Sequence, residues 1–412
     1  MSRTIESTVS LRDAREQIPA LAEPGAAIAV SLAEAIGLVL AEPVVADVDQ
    51  PPFDRAGRDG YAVRAAEAGA GDLLRVVAAR RSPCDGDAGI EAGEAARVRA
   101  GDPLPPGADS VVPPAAVRPD PETGPVRVIE LLRPARERQA IIPRGATLAA
   151  GATVAAAGTR VRPALVPVLA AQGCVHPLCH RRVGLSIVMV GDHWVRPDEA
   201  PTMNRERNAA SSALVALTLG LGAMPHDFQA VAGPGIRPML DRATNNPVVV
   251  ILGGPSRHLD RALRDLGCEP TVARVAAEGL GRVRHGVIPD LDGRAAHHVF
   301  HLPADPIAAS LGFLLLVRPT IARLQGEVAP PAAPMLPLAD GATAPATGRR
   351  ARVQPASIRV GADGRPSVVP LAVAAGDLAA WAASDGALVF PDRAGPWHPG
   401  DPVEFVPLVP GP

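Results

Sequence analysis

The spacing of apolar residues changes character several times along the chain. In "SLAEAIGLVLA" (Ser31–Ala41) a serine is followed three residues later by Glu34, the pattern of a helix capping box. Leu32, Ile36, Val39 and Leu40 then fall on one helical face, so a helix is expected to run from there into Pro43. Beyond it "VVADVDQPP" is extended. From there to about Arg136 the chain is broken by Gly and Pro and carries short Val-rich runs: "LLRVVAA", "AARVRAG", "SVVPPAAV" and "PVRVIELL". Turn signals at this density predict a small β domain inserted between helical parts. Gly145–Gly173 holds several Gly-centred turns and then a helix beginning near Pro163.

After Arg182 the pattern is different. "VGLSIVMVGD", "NPVVVILGG" and "HHVFHLP" are near-continuous apolar runs, as expected of strands buried on both faces. Between and after them lie helical stretches: Asn208 (a plausible N-cap) to about Gly220, Leu259–Leu266, and one opening at Asp305-Pro306, with the acid as N-cap and the proline in the first position. Alternating strands and helices imply a doubly wound parallel α/β domain covered on both faces. Ligands in such folds bind beyond the carboxyl ends of the strands. Those ends are Gly191-Asp192, Gly253-Gly254 and Pro303–Pro306.

"GEVAPPAAPMLPLADGATAPATGRR" (Gly326–Arg350) has the composition of a linker. The alternating runs after it predict a small C-terminal β-barrel. The expected organisation is therefore a helical frame (1–50 and 137–180), an inserted β domain (51–136), an α/β domain (181–326) and a β-barrel (327–412).

Composition narrows the chemistry. The chain has 412 residues, a net charge of −2 and mixed signs throughout, which gives no basic face for nucleic acid or a membrane surface. Charged residues from Arg3 to Glu16 leave no secretory apolar region, so a cytoplasmic location is expected. No run reaches the ~18 apolar residues of a membrane span, and "LGFLLLV" is expected to stop at Arg318-Pro319. There is no lysine anywhere. That excludes Schiff-base chemistry, a lysine nucleophile and a Walker A loop. Any oxyanion must be met by arginine, hydroxyls, backbone N–H groups or a metal. Four cysteines are too few for a disulfide framework. Cys174, His176, Cys179 and His180 are close in sequence but lack zinc-site spacing. His297 and His301 share one strand face and His298 the other, as ordinary strand histidines. His193, just past a strand end, is the histidine placed to meet a phosphate. Trp194, Trp381 and Trp397 are packing residues.

Several motifs together resemble one family. "QPPFDRAGRDGYAVR", containing the only tyrosine, Tyr61, is similar to P-P-F-D-N-S-A-M-D-G-Y-A-V-R. "RVRAGDPLPPGADSVV" (Arg97–Val112) is similar to R-I-x-T-G-A-x-L-P-x-G-A-D-A-V-V. "AAGTRVRPALVPVLAAQG", "VGD", "RERN", "ILGGPS", "LPADPIAA" and "HPGDPVEFVPL" follow in the same order as their counterparts. On these residues the whole chain resembles the molybdopterin molybdenumtransferases, or molybdenum insertases, which include the gephyrin E domain.

The resemblance implies an α/β molybdopterin-binding domain, a homodimer, and the last step of molybdenum cofactor assembly. Adenylated molybdopterin and molybdate are the substrates, AMP is released, and Mg²⁺ is the cofactor. Molybdoenzyme apoproteins or cofactor-assembly proteins are the implied further partners. Asp59, Asp192 and Asp260 become the candidate catalytic residues, with Asp59 and Asp260 on the metal. Substrate contacts fall on Gly60, Tyr61, Gly191, His193, Asn208, Gly253, Gly254, Ser256, Pro303, Asp305 and Pro306. The tyrosine loop is expected to reach the crevice from the neighbouring subunit.

The chain departs from the family at several points. Ala56, Arg58 and Ala100 replace a serine, a methionine and a threonine; Gly145-Ala146-Thr147 loses a carboxylate; and Val190-Gly191-Asp192-His193 loses a glutamate. The family's Asp-Asp pair falls where this chain has Ala232-Gly233, and its K-P-G-K-P becomes "EGLGR" (Glu278–Arg282). Glu278 and Asp305 add acid where anions are expected; one like charge at ~4 Å in an intermediate dielectric costs about 4 kcal/mol. Arg257, Arg282 and Arg284 are placed to compensate. Two functions follow from the motifs: a molybdenumtransferase, or a catalytically degenerate relative that carries or scaffolds the cofactor.

Overall fold

The computed structural model describes residues 8–77, 89–119, 128–228, 235–254, 256–280, 282–289, 296–328, 333–372, 374 and 376–409. They form two compact units. One comprises the chain up to Glu42, Ala157–Pro163 and everything from His176; the other comprises Pro43–Ala156 and Ala164–Val175. Cys84 and the Ala232-Gly233 pair lie outside the described residues.

The larger unit contains a six-stranded sheet in the order 224–228, 184–190, 248–253, 297–302, 284–288, 269–272. The first four strands are parallel. Residues along Gly184–Val190 point alternately to two cores. Leu185, Ile187 and Met189 meet Leu214, Leu311 and Phe313 from the helices Ala209–Gly220 and Pro306–Val317. Val188 and Val190 meet Ile236, Leu240 and Leu259 from the helices Ile236–Ala243 and Arg257–Asp265. The apolar runs are thus strands with both faces buried. Two strands at one end of the sheet depart from the expected parallel pattern. Arg284–Ile288 and Glu269–Val272 are antiparallel, the former against His297–Leu302 and the latter against the former. This reverses one end of the strand: Arg284, its first residue, lies opposite His301 at the carboxyl edge of the parallel strands.

The C-terminal strands belong to a seven-stranded sheet that draws in two strands from elsewhere. Its path is 8–10, 274–278, 351–360, 386–390, 402–407, 335–337, with 366–370 paired to 351–360. Val275, Ala277, Val353 and Val389 join the same core as Leu252 and Phe300.

Two helices differ from expectation. The helix expected after Ser31 covers only Leu32–Ala35, although its capping box is formed. The chain turns at Ile36, and Val39 and Leu40 instead bridge Arg160 and Cys179, which buries both. Strand-like pairing wins because it satisfies the backbone while burying the same side chains. Arg318-Pro319 does not end the last helix. A π-helical turn, Phe313–Val317, leads into the α-helix Arg318–Leu324. Pro319 occupies the opening turn of that second segment, where its missing N–H costs little. The resulting helix, Pro306–Leu324, has 19 residues and is long and apolar enough to cross a membrane by length and composition, but 72% of it is buried inside the protein.

In the smaller unit a six-stranded sheet runs 110–112, 60–63, 94–98, 73–77, 128–131, 117–119. Tyr61 is half-buried on its core beside Val63, Leu74 and Leu131.

Candidate functional site

In the larger unit the carboxyl edge of the parallel sheet opens into a cavity of about 270 Å³ lined by Gly253, Gly254, Arg282, Arg284, His301, Pro303 and Ala304. The elements explain the composition. Strand 248–253 delivers the glycine turn, strand 297–302 delivers His301 and the Pro303 exit, and the antiparallel strand 284–288 delivers Arg284. Gly253 has φ +127, and a Cβ there would meet the Val190 carbonyl oxygen at 2.3 Å. Only glycine lets the two strands close at this point. Gly253→Ala is therefore expected to lower the unfolding free energy by about 2 kcal/mol. Urea unfolding at unchanged slope measures this, and a loss below about 0.5 kcal/mol would show that the strand ends relax freely.

A second cavity of about 320 Å³ adjoins the same segment. It is lined by Thr8, Arg274, Val275, Ala276, Ala277, Glu278, Gly279, Arg282 and Arg350. Arg282 is common to both walls. Four guanidinium groups (Arg274, Arg282, Arg284 and Arg350) thus face two adjoining hollows. Glu278 lies among them, but its carboxylate accepts from Arg352 Nε at 3.2 Å. The acid at this position is neutralised by a neighbour and does not stand alone against an anion. Arg282 and Arg284 were placed by the sequence. Arg274 and Arg350 were not, since no local pattern shows that residues 274–278 pair with the strand starting at Ala351.

The other candidate residues divide clearly. Pro303, Gly253 and Gly254 are on the cavity wall. Asp305 and Pro306 start the next helix, where the Asp305 carboxylate accepts from Ala308 N–H at 2.8 Å. Ser256 caps the Arg257–Asp265 helix, accepting from His258 N–H. Asp260, in the first turn of that helix, lies 3.6 Å from Arg284 and braces a wall arginine. At the end of strand 184–190, Gly191 is followed by a contact pair: His193 Nδ1 is 2.9 Å from Asp192 Oδ1, and both side chains are exposed. Neither is among the cavity-lining residues. Asn208 is buried, with Oδ1 accepting from Ser211 N–H and Nδ2 donating to Ser211 Oγ. Both polar ends are used within the chain, which makes Asn208 a helix cap in place of the substrate contact expected of it.

In the smaller unit Asp59 Oδ1 accepts from Ala100 N–H at 2.8 Å, which joins the first two family-like motifs of the sequence through one hydrogen bond. Gly60 is fixed by close packing, since a Cβ there would meet the Val112 carbonyl oxygen at 2.2 Å. Tyr61 pairs through its backbone with Arg97 and Val112. The Asp59-Gly60-Tyr61 stretch thus lies at the junction of three strands.

Among the described residues no three His, Cys, Asp or Glu side chains gather as a metal cage. That includes the Cys174–His180 segment, where His180 Nδ1 lies 2.7 Å from the Gly25 carbonyl oxygen. A Mg²⁺ ion here would depend on one or two carboxylates together with substrate phosphate oxygens and water, its usual coordination.

Comparison with known proteins agrees with the geometry. Residues 9–173 match a family model described as the MoeA N-terminal region (domain I and II). The chain is 32% identical over 347 residues to molybdopterin molybdenumtransferase 1 of Mycobacterium tuberculosis, covering 76% of this chain and 77% of that one. It is 28% identical over 309 residues to the molybdopterin molybdenumtransferase of Nostoc sp., covering 72% and 69%. A molybdopterin biosynthesis MoeA protein from Pyrococcus horikoshii has the same fold, with a TM-score of 0.82 over 98% of this chain and 99% of that one at 23% identity. A sequence match of this length, joined to the motifs gathered by the Asp59–Ala100 contact, establishes that the chain belongs to the molybdopterin molybdenumtransferase family.

Proposed function

We propose that this protein is a molybdopterin molybdenumtransferase, which takes adenylated molybdopterin and molybdate and yields the molybdenum cofactor and AMP. The observation that carries this function is the pair of arginine-lined hollows sharing Arg282 at the carboxyl edge of the sheet. Molybdate is a tetrahedral dianion and the adenylyl group brings a pyrophosphate. Both call for planar, permanently charged donors, which arginine supplies at any physiological pH. The cavity beside Gly253-Gly254 and Pro303 would take part of the pterin nucleotide, with the glycine backbone allowing close approach. The adjoining hollow, with Arg274 and Arg350, would take the second oxyanion.

Mg²⁺ belongs to this proposal in a limited form. Asp59 would be its protein ligand, with remaining positions filled by phosphate oxygens and water. When bound, it would neutralise pyrophosphate charge. Asp260 serves as the partner of Arg284. The four-part domain division, a homodimer that completes the site with the Asp59–Tyr61 loop, a cytoplasmic location, and molybdoenzyme or assembly-protein clients are part of the same proposal.

The names of the relatives favour the transferase over a degenerate carrier or scaffold. The direct test supplies adenylated molybdopterin and molybdate to the purified chain and follows AMP. Molybdate-dependent AMP release at many turnovers per chain is the expected result. Tight binding of the adenylate without AMP release would assign the carrier function instead.

A further inference from the structure

One buried titratable side chain on the cavity wall has no part in the scheme above. His301 is 8% exposed, and its Nε2 lies 2.9 Å from the Gly253 carbonyl oxygen. A carbonyl only accepts, so Nε2 carries the proton and Nδ1 of the neutral ring remains an acceptor. The charged groups around the ring come from three elements. Arg284 sits directly opposite on the antiparallel strand Arg284–Ile288, Arg282 shares the cavity wall, and Asp260 projects from the Arg257–Asp265 helix onto Arg284. Burial is the main influence holding the His301 pKa below its ordinary value, and Arg284 adds to it; the Gly253 hydrogen bond and Asp260 act in the opposite direction. A wall with two arginines and a neutral imidazole changes when an anion arrives. The anion offsets the guanidinium charge and favours a proton on the ring.

We propose that His301 is the proton acceptor of this cavity, protonated from solvent at Nδ1 when a tetrahedral oxyanion such as molybdate binds between Arg282 and Arg284. The inference rests on the oxyanion-binding function proposed above and adds a third cationic donor to the occupied site. Oxyanion affinity would then follow pH through a wall group and not through the ligand, since molybdate and sulfate keep their charge near neutrality.

Calorimetric titration of the full chain with molybdate, and separately with sulfate, tests this in buffers of contrasting ionisation heat. The expected result is uptake of up to about half a proton per bound anion, with affinity rising by as much as tenfold in all as pH falls through the His301 midpoints of the free and occupied site. His301→Gln keeps an N–H for the Gly253 carbonyl but cannot titrate, and is expected to bind without uptake. Failure of the unaltered chain to bind either anion would remove the oxyanion site and this inference together. Binding without proton uptake, or uptake that persists in His301→Gln, would overturn the role of His301 alone. If the variant does not fold, ring-proton NMR of the unaltered chain decides: the His301 midpoint should rise by about one pH unit in saturating sulfate, and an unmoved midpoint would overturn the inference.

Discussion

Arg282→Glu is expected to weaken binding of both molybdate and AMP by about a hundredfold. An attraction or a repulsion at ~4 Å is each worth about 4 kcal/mol at an intermediate dielectric, so exchanging one for the other is worth about 8 kcal/mol. Arg282 is exposed, so water and salt reduce that figure to roughly 2–3 kcal/mol, or about a hundredfold. The position is decisive because the side chain lines both hollows, so a single reversal acts on both ligands. Arg359→Glu, an exposed change on the strand 351–360, makes the same change in net charge and controls for long-range effects. The readout is the dissociation constant of each ligand by calorimetry, with unfolding stability expected to stay within about 0.5 kcal/mol. If Arg282→Glu and Arg359→Glu behave alike within about twofold, the oxyanions bind somewhere else.

The second large effect is acid destabilisation centred on a stacked histidine pair. His285 and His298 are both almost fully buried, with ring centroids 5.5 Å apart and Nε2 of the first 3.3 Å from Nδ1 of the second. Burial, reinforced by the neighbouring histidine in each case, pushes His285 down to about 3 and His298 down to about 4. In the unfolded chain both titrate near 6.5. Below that value the folded protein binds fewer protons than the unfolded chain, so stability is lost as pH falls. It is fully present above about pH 6.5 and declines down to about pH 4, where the folded-state rings begin to charge. Each histidine contributes roughly 1 kcal/mol per pH unit, so about 3 kcal/mol should be gone at pH 5. Urea midpoints at pH 7 and pH 5 measure the decline. His285→Gln should roughly halve it whatever its own stability at pH 7, and an undiminished slope would mean that other groups govern the acid response.

What the sequence revealed depended on whether the signal was local. The three core strands were legible because burial on both faces writes itself as a continuous apolar run. The Asn208 and Asp305 caps were legible because capping needs one residue type at one position. The helix after Ser31 was overextended because Val39 and Leu40 fit a helical face equally well, and only their pairing with Arg160 and Cys179 decides between the two. Three strands of the α/β sheet, Met224–Phe228, Glu269–Val272 and Arg284–Ile288, were missed for a related reason: the last, with a histidine and a glycine among its five residues, carries no readable period. The site followed the same rule. Gly253, Gly254 and Pro303 sit at strand exits and were found, while Arg274 and Arg350 meet only through parallel pairing of distant segments. The acidic replacements looked more damaging in sequence than they are, because Arg352 and the Ala308 N–H already occupy Glu278 and Asp305.

One stretch of backbone weaves between the two sheets of the larger unit. Residues 269–272 belong to the α/β sheet, 274–278 cross to the seven-stranded sheet, and 284–288 return. The C-terminal portion therefore cannot be treated as a transplantable module. A chimera joined at the proline-rich lead-in would keep the pairing of the crossover strand with Thr8–Ser10 but would set a foreign strand against its other edge, where the arginine wall is formed. Recombination among relatives should tolerate junctions on either side of this weave far better than a junction that separates residues 274–278 from the strand that begins at Ala351.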